Sequence, residues 1–232
     1  MLDTIKITNV LFLDVETAPL VYKYKDLPEK MKPLWDSKFR YQQTETPESL
    51  YKKAGIYAEF AKIICISVGY FHDGTFRLKS FSGNDEKIIL EDFSALLNKH
   101  FNRKEHQLCA HNGKEFDFPF LCRRMLINGL KLPKTLNISG KKPWEINHLD
   151  TMELWKFGDY KNYTSLNLLA GVFNIPTPKD DMDGSDVARV YWEEKNLKRI
   201  VTYCQKDVLT VAQLLLRFMG QPLIDSKNVV LT

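Results

Sequence analysis

The pattern of apolar and polar positions along the chain predicts an α/β protein. Two apolar runs of strand length, NVLFLDVET (9–17) and KIICISVGYF (62–71), indicate buried strands. The turn signal HDG (72–74) predicts a hairpin into a third strand, TFRLKSFSG (75–83). HQLCAHNG (106–113) predicts a fourth strand that ends in glycine. The first three strands therefore form a meander in this prediction.

Apolar residues at helical spacing predict helices in the rest of the chain. The predicted helices are EKIILEDFSALLNKHF (86–101), with Asn84 or Asp85 as its cap, FPFLCRRMLINGL (118–130), TSLNLLAGVFNI (164–175), GSDVARVYWEEK (184–195) and NLKRIVTYCQKDVLTVAQLLLRF (196–218). INHLDTMELWK (146–156) predicts a fifth strand. A meander followed by strands that alternate with helices favours a three-layer α/β fold with a mixed five-stranded sheet flanked by helices.

The length of 232 residues predicts a single domain over residues 1–232. The polar segment 20–61 contains prolines and helical fragments, so we interpret it as a long excursion between the first and second strands. Trp35 and Phe39 lie in it at i and i+4, which favours helix packing against the sheet over base stacking. A hydrophobic content of 44% excludes a disordered chain.

Charge and cysteine usage narrow the class of protein. The net charge of +4 and pI near 8.7 permit a polyanionic partner without requiring one. The four cysteines lie in apolar segments without a CxxC pair, which is typical of a reducing compartment. No N-terminal signal is visible, and the apolar run 63–71 is far shorter than the ~20 residues of a membrane span. We expect a soluble cytoplasmic protein.

Acidic side chains follow two predicted strands. Asp14 and Glu16 are at i and i+2, so they project from one face at the carboxyl end of the first strand, where active sites form in α/β sheets. Asn112 and Asp117 bracket the junction between the fourth strand and the next helix. Taken separately, these residues also fit a fraying strand, a turn and a helix cap.

A third acidic position lies in the last predicted helix. Tyr203 and Asp207 are at i and i+4, so they share one helix face among apolar neighbours. An aspartate in such surroundings is unfavourable unless it is paired or binds a metal. A solvated aspartate at the edge of the helix is the alternative.

Taken together, the three segments resemble a known set of motifs. DVET (14–17), NGKEFD (112–117) and YCQKD (203–207) are similar, in this order, to the three exonuclease motifs of the DEDD superfamily. Nearly the whole chain resembles the proofreading exonuclease domain of family-B DNA polymerases, and more closely the stand-alone predicted 3′–5′ exonucleases related to it. Thr202 occupies the histidine position of the other branch, so the match is to the tyrosine (DEDDy) branch.

The resemblance implies a ribonuclease-H-like fold and an activity. The expected protein is a metal-dependent 3′–5′ exonuclease that hydrolyses single-stranded nucleic acid, with DNA preferred, to nucleoside 5′-monophosphates. Its partners would be single-stranded 3′ ends and, in trans, a polymerase or repair complex, with no membrane. RNA as the substrate of the same site, a non-catalytic nucleic-acid-binding module and an endonuclease stay open as alternatives.

The resemblance also implies roles for individual residues, with two Mg²⁺ (or Mn²⁺) ions as cofactors. Asp14 would bridge both metals. Glu16 and Asp207 would complete the shell of the metal that binds the attacking water, and Asp117 would hold the second metal through water. Tyr203 would orient the nucleophilic water and help to deprotonate it.

Further residues are candidates for contact with substrate. Thr17 and Asn112 match positions that contact the terminal nucleotide, and Phe116 belongs to the same set, although packing behind the site is the favoured role. Lys179 or Gly184, in an aspartate-rich loop whose ends do not fit a calcium site, is a weaker candidate. Six basic residues form either a phosphate-attracting rim or solvated surface: Arg123, Arg124, Lys131, Lys134, Lys141 and Lys142.

Overall fold

A computed structural model describes residues 2–159, 163–176 and 182–232. Six strands in this part of the chain form one mixed sheet in the order β5-β4-β1-β2-β3-β6. The strands are β1 (Val10–Pro19), β2 (Ala61–His72), β3 (Thr75–Ser82), β4 (Gln107–Ala110), β5 (Leu149–Asp150) and β6 (Val229–Leu231). The pairs β1–β2 and β2–β3 are antiparallel, whereas β1–β4, β4–β5 and β3–β6 are parallel. The predicted mixed sheet is confirmed, but its predicted number of strands is wrong.

The helices lie between and after these strands. The α-helices are α1 (Lys32–Lys38), α2 (Pro47–Leu50), α3 (Glu86–His100), α4 (Asp117–Ile127), α5 (Thr151–Lys156), α6 (Leu166–Val172), α7 (Val187–Trp192) and α8 (Leu197–Phe218). Short 3-10 helices cover Leu2–Thr4, Ile7–Asn9, Tyr24–Asp26, Tyr51–Ile56, Lys134–Leu136, Pro143–Glu145 and Ser226–Asn228. No helix in the described ranges is long and apolar enough to span a membrane.

The central strand β1 is buried on both faces, and its side chains divide the core into two layers. Leu11, Leu13 and Val15 point to the face covered by α3 and α4. Val10 and Phe12 point to the opposite face and pack with α8. Because side chains alternate along a strand, this division follows directly from the sequence of β1. The result is the predicted three-layer arrangement, helices on either side of the sheet.

The predicted fifth strand is wrong over most of its length. Only Leu149–Asp150 pair with β4, and a helix begins at the next residue. The Asp150 carboxylate accepts hydrogen bonds from the backbone N–H groups of Met152 and Glu153, which caps α5 and ends the strand. The sixth strand was missed because Val229–Leu231 is short and mostly exposed. The predicted cap of α3 is confirmed at Asp85, whose side chain accepts from Ile88.

The segment between β1 and β2 has a small core of its own. Trp35 is fully buried there, its indole N–H donates to the carbonyl of Pro47 at 2.7 Å, and its ring lies 4.5 Å from that of Phe39. The predicted packing of Trp35 in a helix is confirmed, but the expected packing against the sheet is wrong, because its partners belong to this separate core. That residues 1–232 form one domain stays a prediction.

Candidate active site

Asp14 and Glu16 continue the row of β1 side chains that faces α8. Val10 and Phe12 precede them on this face at the same two-residue spacing. The Cys204 thiol on α8 donates to the backbone carbonyl of Asp14 at 3.4 Å, which fixes the helix against this part of the strand. The side chains of β1 that face α8 are therefore apolar at the start of the strand and acidic at its carboxyl end.

Asp117 approaches Asp14 from the opposite side of β1. It is the first residue of α4 and is buried, with 4% of its surface exposed. Strand β4 pairs with β1 only over Val10–Phe12, so beyond that point the flank of β1 is open to the segment that leads into α4. The Asp117 carboxylate lies near the backbone N–H of Val15 and interacts electrostatically with Asp14. Its position at a helix N-terminus is favourable for a negative charge.

Tyr203 and Asp207 complete the group from α8. The Tyr203 side chain interacts with the Asp207 carboxylate one helical turn away, and both residues are half-buried. Asp207 in turn acts electrostatically on Glu16. Three distant segments thus bring the four predicted acids and the tyrosine within electrostatic reach of one another. Their catalytic roles stay predictions.

Burial and mutual repulsion raise the pKa values in this group. Desolvation raises the pKa of Asp14 from 3.8 to about 6. Burial, with the nearby charge of Asp14, raises the pKa values of Glu16 and Asp117 well above their usual range. Burial and the acids Asp207, Glu16 and Asp14 likewise raise the pKa of Tyr203, so that it is a neutral phenol near pH 7.

The residues present fit a divalent cation. The Oδ2 atom of Asp14 is buried and has no hydrogen-bond partner, which is unusual for a carboxylate oxygen. Ligand atoms of Asp14, Glu16 and Cys204 lie within 4.8 Å of one another. Carboxylate oxygens are the ligands that Mg²⁺ prefers, and a bound cation would offset the repulsion among them.

The predicted substrate-contact residues differ in their surroundings, and their contact with substrate stays a prediction. Asn112 has a left-handed backbone (φ 62°), and its buried Oδ1 atom has no hydrogen-bond partner. The Thr17 hydroxyl donates to the carbonyl of Gly55 at 2.7 Å, so it joins β1 to the excursion that follows it. The ring of Phe116 lies 5.3 Å from that of Phe120 and packs against the α4 side of the core, as its favoured role required.

Asp150 and Glu153 lie on the predicted fifth strand, where the sequence favours structural or solvent-facing roles over direct participation in the site, and the structure gives Asp150 a structural role. It is buried, and its carboxylate accepts from the backbone N–H groups of Asn112 (2.9 Å), Lys114 (3.0 Å) and Met152 (2.9 Å). One side chain thereby ties the start of α5 to the turn that carries Asn112. An aspartate directly before a helical segment was the available signal, but the segment had been predicted as a strand.

Arg124 does not belong to a phosphate-attracting rim. It is buried, donates to both carboxylate oxygens of Glu86 (2.8 and 2.5 Å) and donates to the carbonyl of Ala58 at 2.7 Å. This ion pair links α4 to α3 and to the segment before β2. Of the two weaker candidates, Gly184 is exposed and Lys179 lies outside the described residues.

Comparison with known proteins identifies similar sequences. Residues 56–223 match a family described as "Predicted 3′–5′ exonuclease related to the exonuclease domain of PolB". Asn112, Asp117, Tyr203 and Asp207 lie inside the matched range, whereas Asp14 lies before it. A DNA polymerase from Pyrococcus glycovorans is 25% identical over 141 residues, covering 51% of this chain and 18% of the polymerase.

Comparison of structures identifies the same class of fold. The family B DNA polymerase from the hyperthermophilic archaeon Pyrobaculum calidifontis matches 90% of this chain with a TM-score of 0.51 and 16% identity. The chain spans 24% of that polymerase. A likeness at this identity shows the fold alone, and it confirms the ribonuclease-H-like α/β arrangement.

Proposed function

Because the chain belongs to the family of predicted 3′–5′ exonucleases related to the exonuclease domain of family-B DNA polymerases, we propose that it is a metal-dependent 3′–5′ exonuclease of the DEDDy type. Its substrate is a single-stranded 3′ end, and its products are nucleoside 5′-monophosphates. Residues 1–232 act as one domain in the cytoplasm, either alone or in trans with a polymerase or repair complex.

One observation carries this proposal: acids from β1, α4 and α8 lie within electrostatic reach of one another, and an oxygen of Asp14 in this group is buried without a hydrogen-bond partner. Two carboxylates about 4 Å apart repel by roughly 4 kcal/mol at an effective dielectric near 20. A fold retains such repulsion when a bound cation offsets it. Structural acids, by comparison, have hydrogen-bond donors of their own, as Asp150 does.

Each acid has a role that its surroundings support. Bound Mg²⁺ or Mn²⁺ ions would supply an activated water and neutralise the charge on the attacked phosphate. Asp14 interacts with both Glu16 and Asp117, which supports it as the ligand common to both ions. Glu16 and Asp207 interact with each other and would complete one shell, whereas Asp117, across the strand, would hold the other ion.

Tyr203 and Asn112 act on water and substrate. Tyr203 has a raised pKa beside these acids and carries a proton, so its hydroxyl would orient the nucleophilic water by hydrogen bonding. The unpaired Oδ1 atom of Asn112 is an acceptor for a donor on the terminal nucleotide. Thr17 is half-buried at the same end of β1 and would contact that nucleotide.

DNA is the proposed substrate because the similar proteins are named as DNA polymerases. The assay is stepwise shortening of a 5′-labelled single strand in Mg²⁺ or Mn²⁺, with matched DNA and RNA strands and a circular strand. Wild-type protein is expected to shorten the linear DNA from its 3′ end. Asp14→Asn and Asp207→Ala are expected to abolish this while the circular dichroism spectrum is retained.

The control variant is Glu91→Gln, which changes an exposed acid on α3, on the other side of the sheet. It is expected to hydrolyse DNA at the wild-type rate. Degradation that persists in excess chelator, or in the Asp14 variant, would overturn the proposed mechanism. Preference for the RNA strand would correct the substrate, and cleavage of the circular strand would identify an endonuclease.

A further inference from the structure

Cys204 lies directly beside the carboxylates of the candidate active site. It is fully buried on α8, and its Sγ atom is within 4.8 Å of carboxylate oxygens of both Asp14 and Glu16. Its thiol also interacts with that of Cys65, which pairs with Glu16 across the β1–β2 ladder. A sulfur atom therefore adjoins the same carboxylates that are proposed to hold Mg²⁺.

A buried cysteine is more often a small apolar residue of the core, and Cys109 on β4 is an example in this protein. Cys204 differs because its sulfur lies within 4.8 Å of carboxylate oxygens, although the residue also belongs to an apolar cluster. The Asp14 Oδ2 atom in this group is buried and has no hydrogen-bond partner. One carboxylate oxygen from each acid and one sulfur thus converge, and an oxygen of Asp14 has no hydrogen-bond partner.

We infer that Asp14, Glu16 and Cys204 form a binding site for a thiophilic divalent cation such as Zn²⁺. Zn²⁺ takes cysteine sulfur together with carboxylate oxygens, commonly with three protein ligands and one open position. Mg²⁺ takes oxygen ligands and does not use the sulfur. The thiol gives up its proton to solvent when it coordinates the ion.

This second binding mode has a consequence for the activity, and that part rests on the proposed function. A cation held by Cys204 uses Asp14 and Glu16 in a geometry set by sulfur, so it excludes Mg²⁺ from the position at which it supports hydrolysis. Zn²⁺ is then an inhibitor of the Mg²⁺-dependent enzyme. Cys204 is the residue that makes the carboxylate group sensitive to such metals.

The direct test uses Co²⁺ as a spectroscopic substitute for Zn²⁺, with full-length protein free of nucleic acid. A Co²⁺–thiolate bond produces a charge-transfer absorption band in the near ultraviolet, whereas carboxylate ligands alone do not. Wild-type protein is expected to develop this band on titration with Co²⁺, and added Zn²⁺ is expected to remove it. Cys204→Ser is expected to lack the band and to bind Co²⁺ at least about tenfold more weakly.

The matched control is Cys109→Ser, which alters another fully buried cysteine that is not part of the ligand group. It is expected to keep the band. Absence of the band in wild-type protein, or its persistence in Cys204→Ser, would overturn the inference. Cys204→Ala provides a second variant if the serine is not accommodated, and circular dichroism checks the fold of each.

A second measurement separates this inference from the proposed function. The Zn²⁺ concentration that halves Mg²⁺-dependent hydrolysis is expected to be about tenfold higher for Cys204→Ser, each protein being compared with its own uninhibited rate. If the protein shows the Co²⁺ band but does not hydrolyse nucleic acid, the inferred metal site is supported and the proposed function is wrong. If the protein hydrolyses nucleic acid in Mg²⁺ but shows no Co²⁺ band, the proposed function is supported and the inferred Zn²⁺ site is wrong.

Discussion

The buried carboxylate of Asp14 predicts that an isosteric neutral variant is more stable than the wild type when metal is absent. Burial raises the pKa of Asp14 from 3.8 to about 6, so the folded protein holds this proton more tightly than the unfolded chain. The contribution to stability is therefore full below pH 3.8 and is lost as the pH rises through about 6. A shift of this size corresponds to roughly 3 kcal/mol at neutral to alkaline pH.

Asp14→Asn removes the charge and keeps the shape. The Oδ2 atom has no hydrogen-bond partner to lose, and an amide there can donate to the neighbouring Glu16. In excess chelator we expect the variant to exceed the wild type by roughly 3 kcal/mol in free energy of unfolding at about pH 8, and by less than about 1 kcal/mol near pH 4. Urea denaturation followed by circular dichroism measures both values.

Divalent cations should stabilise the wild type more than they stabilise Asp14→Asn. Mg²⁺ or Mn²⁺ binds only the folded protein, so it is expected to raise the melting temperature of the wild type more than that of Asp14→Asn. The surface variant Glu91→Gln should follow the wild type under all of these conditions. The reasoning fails if Asp14→Asn is the less stable protein in chelator at pH 8, if its advantage does not depend on pH, or if the two melting temperatures rise equally.

Three further predictions concern the remaining parts of the site. Arg124→Ala should lower the free energy of unfolding by about 3–5 kcal/mol, because it leaves Glu86 charged and buried; urea denaturation measures this, and a loss below about 1 kcal/mol would contradict it. Asp150→Ala should reduce both stability and hydrolysis, with Asp150→Asn intermediate, because four backbone donors lose their acceptor; a wild-type rate in the alanine variant would refute a positioning role. Tyr203→Phe should slow hydrolysis about 10²-fold while the Mg²⁺-induced rise in melting temperature is retained, and an unchanged rate would exclude orientation of water.

Local patterns in the sequence determined the elements that carry the site. The alternation along residues 10–16 puts Asp14 and Glu16 on one face of a strand, and the four-residue spacing puts Tyr203 and Asp207 on one face of a helix. Both regularities depend on backbone geometry alone. Both spacings can therefore be interpreted without knowledge of any other part of the chain. The order of the three motifs along the chain then indicated the family that the chain resembles.

Only the tertiary structure decided how these elements meet. The contacts of Asp117 with Val15 and of Cys204 with Asp14 depend on how α4 and α8 pack against β1. Arg124 is a basic residue of the kind expected in a phosphate-attracting rim, but it lies in a buried ion pair with Glu86. Pairing partners, burial and pKa shifts arise between segments about a hundred residues apart. No local pattern encodes them, because they are properties of the packed core.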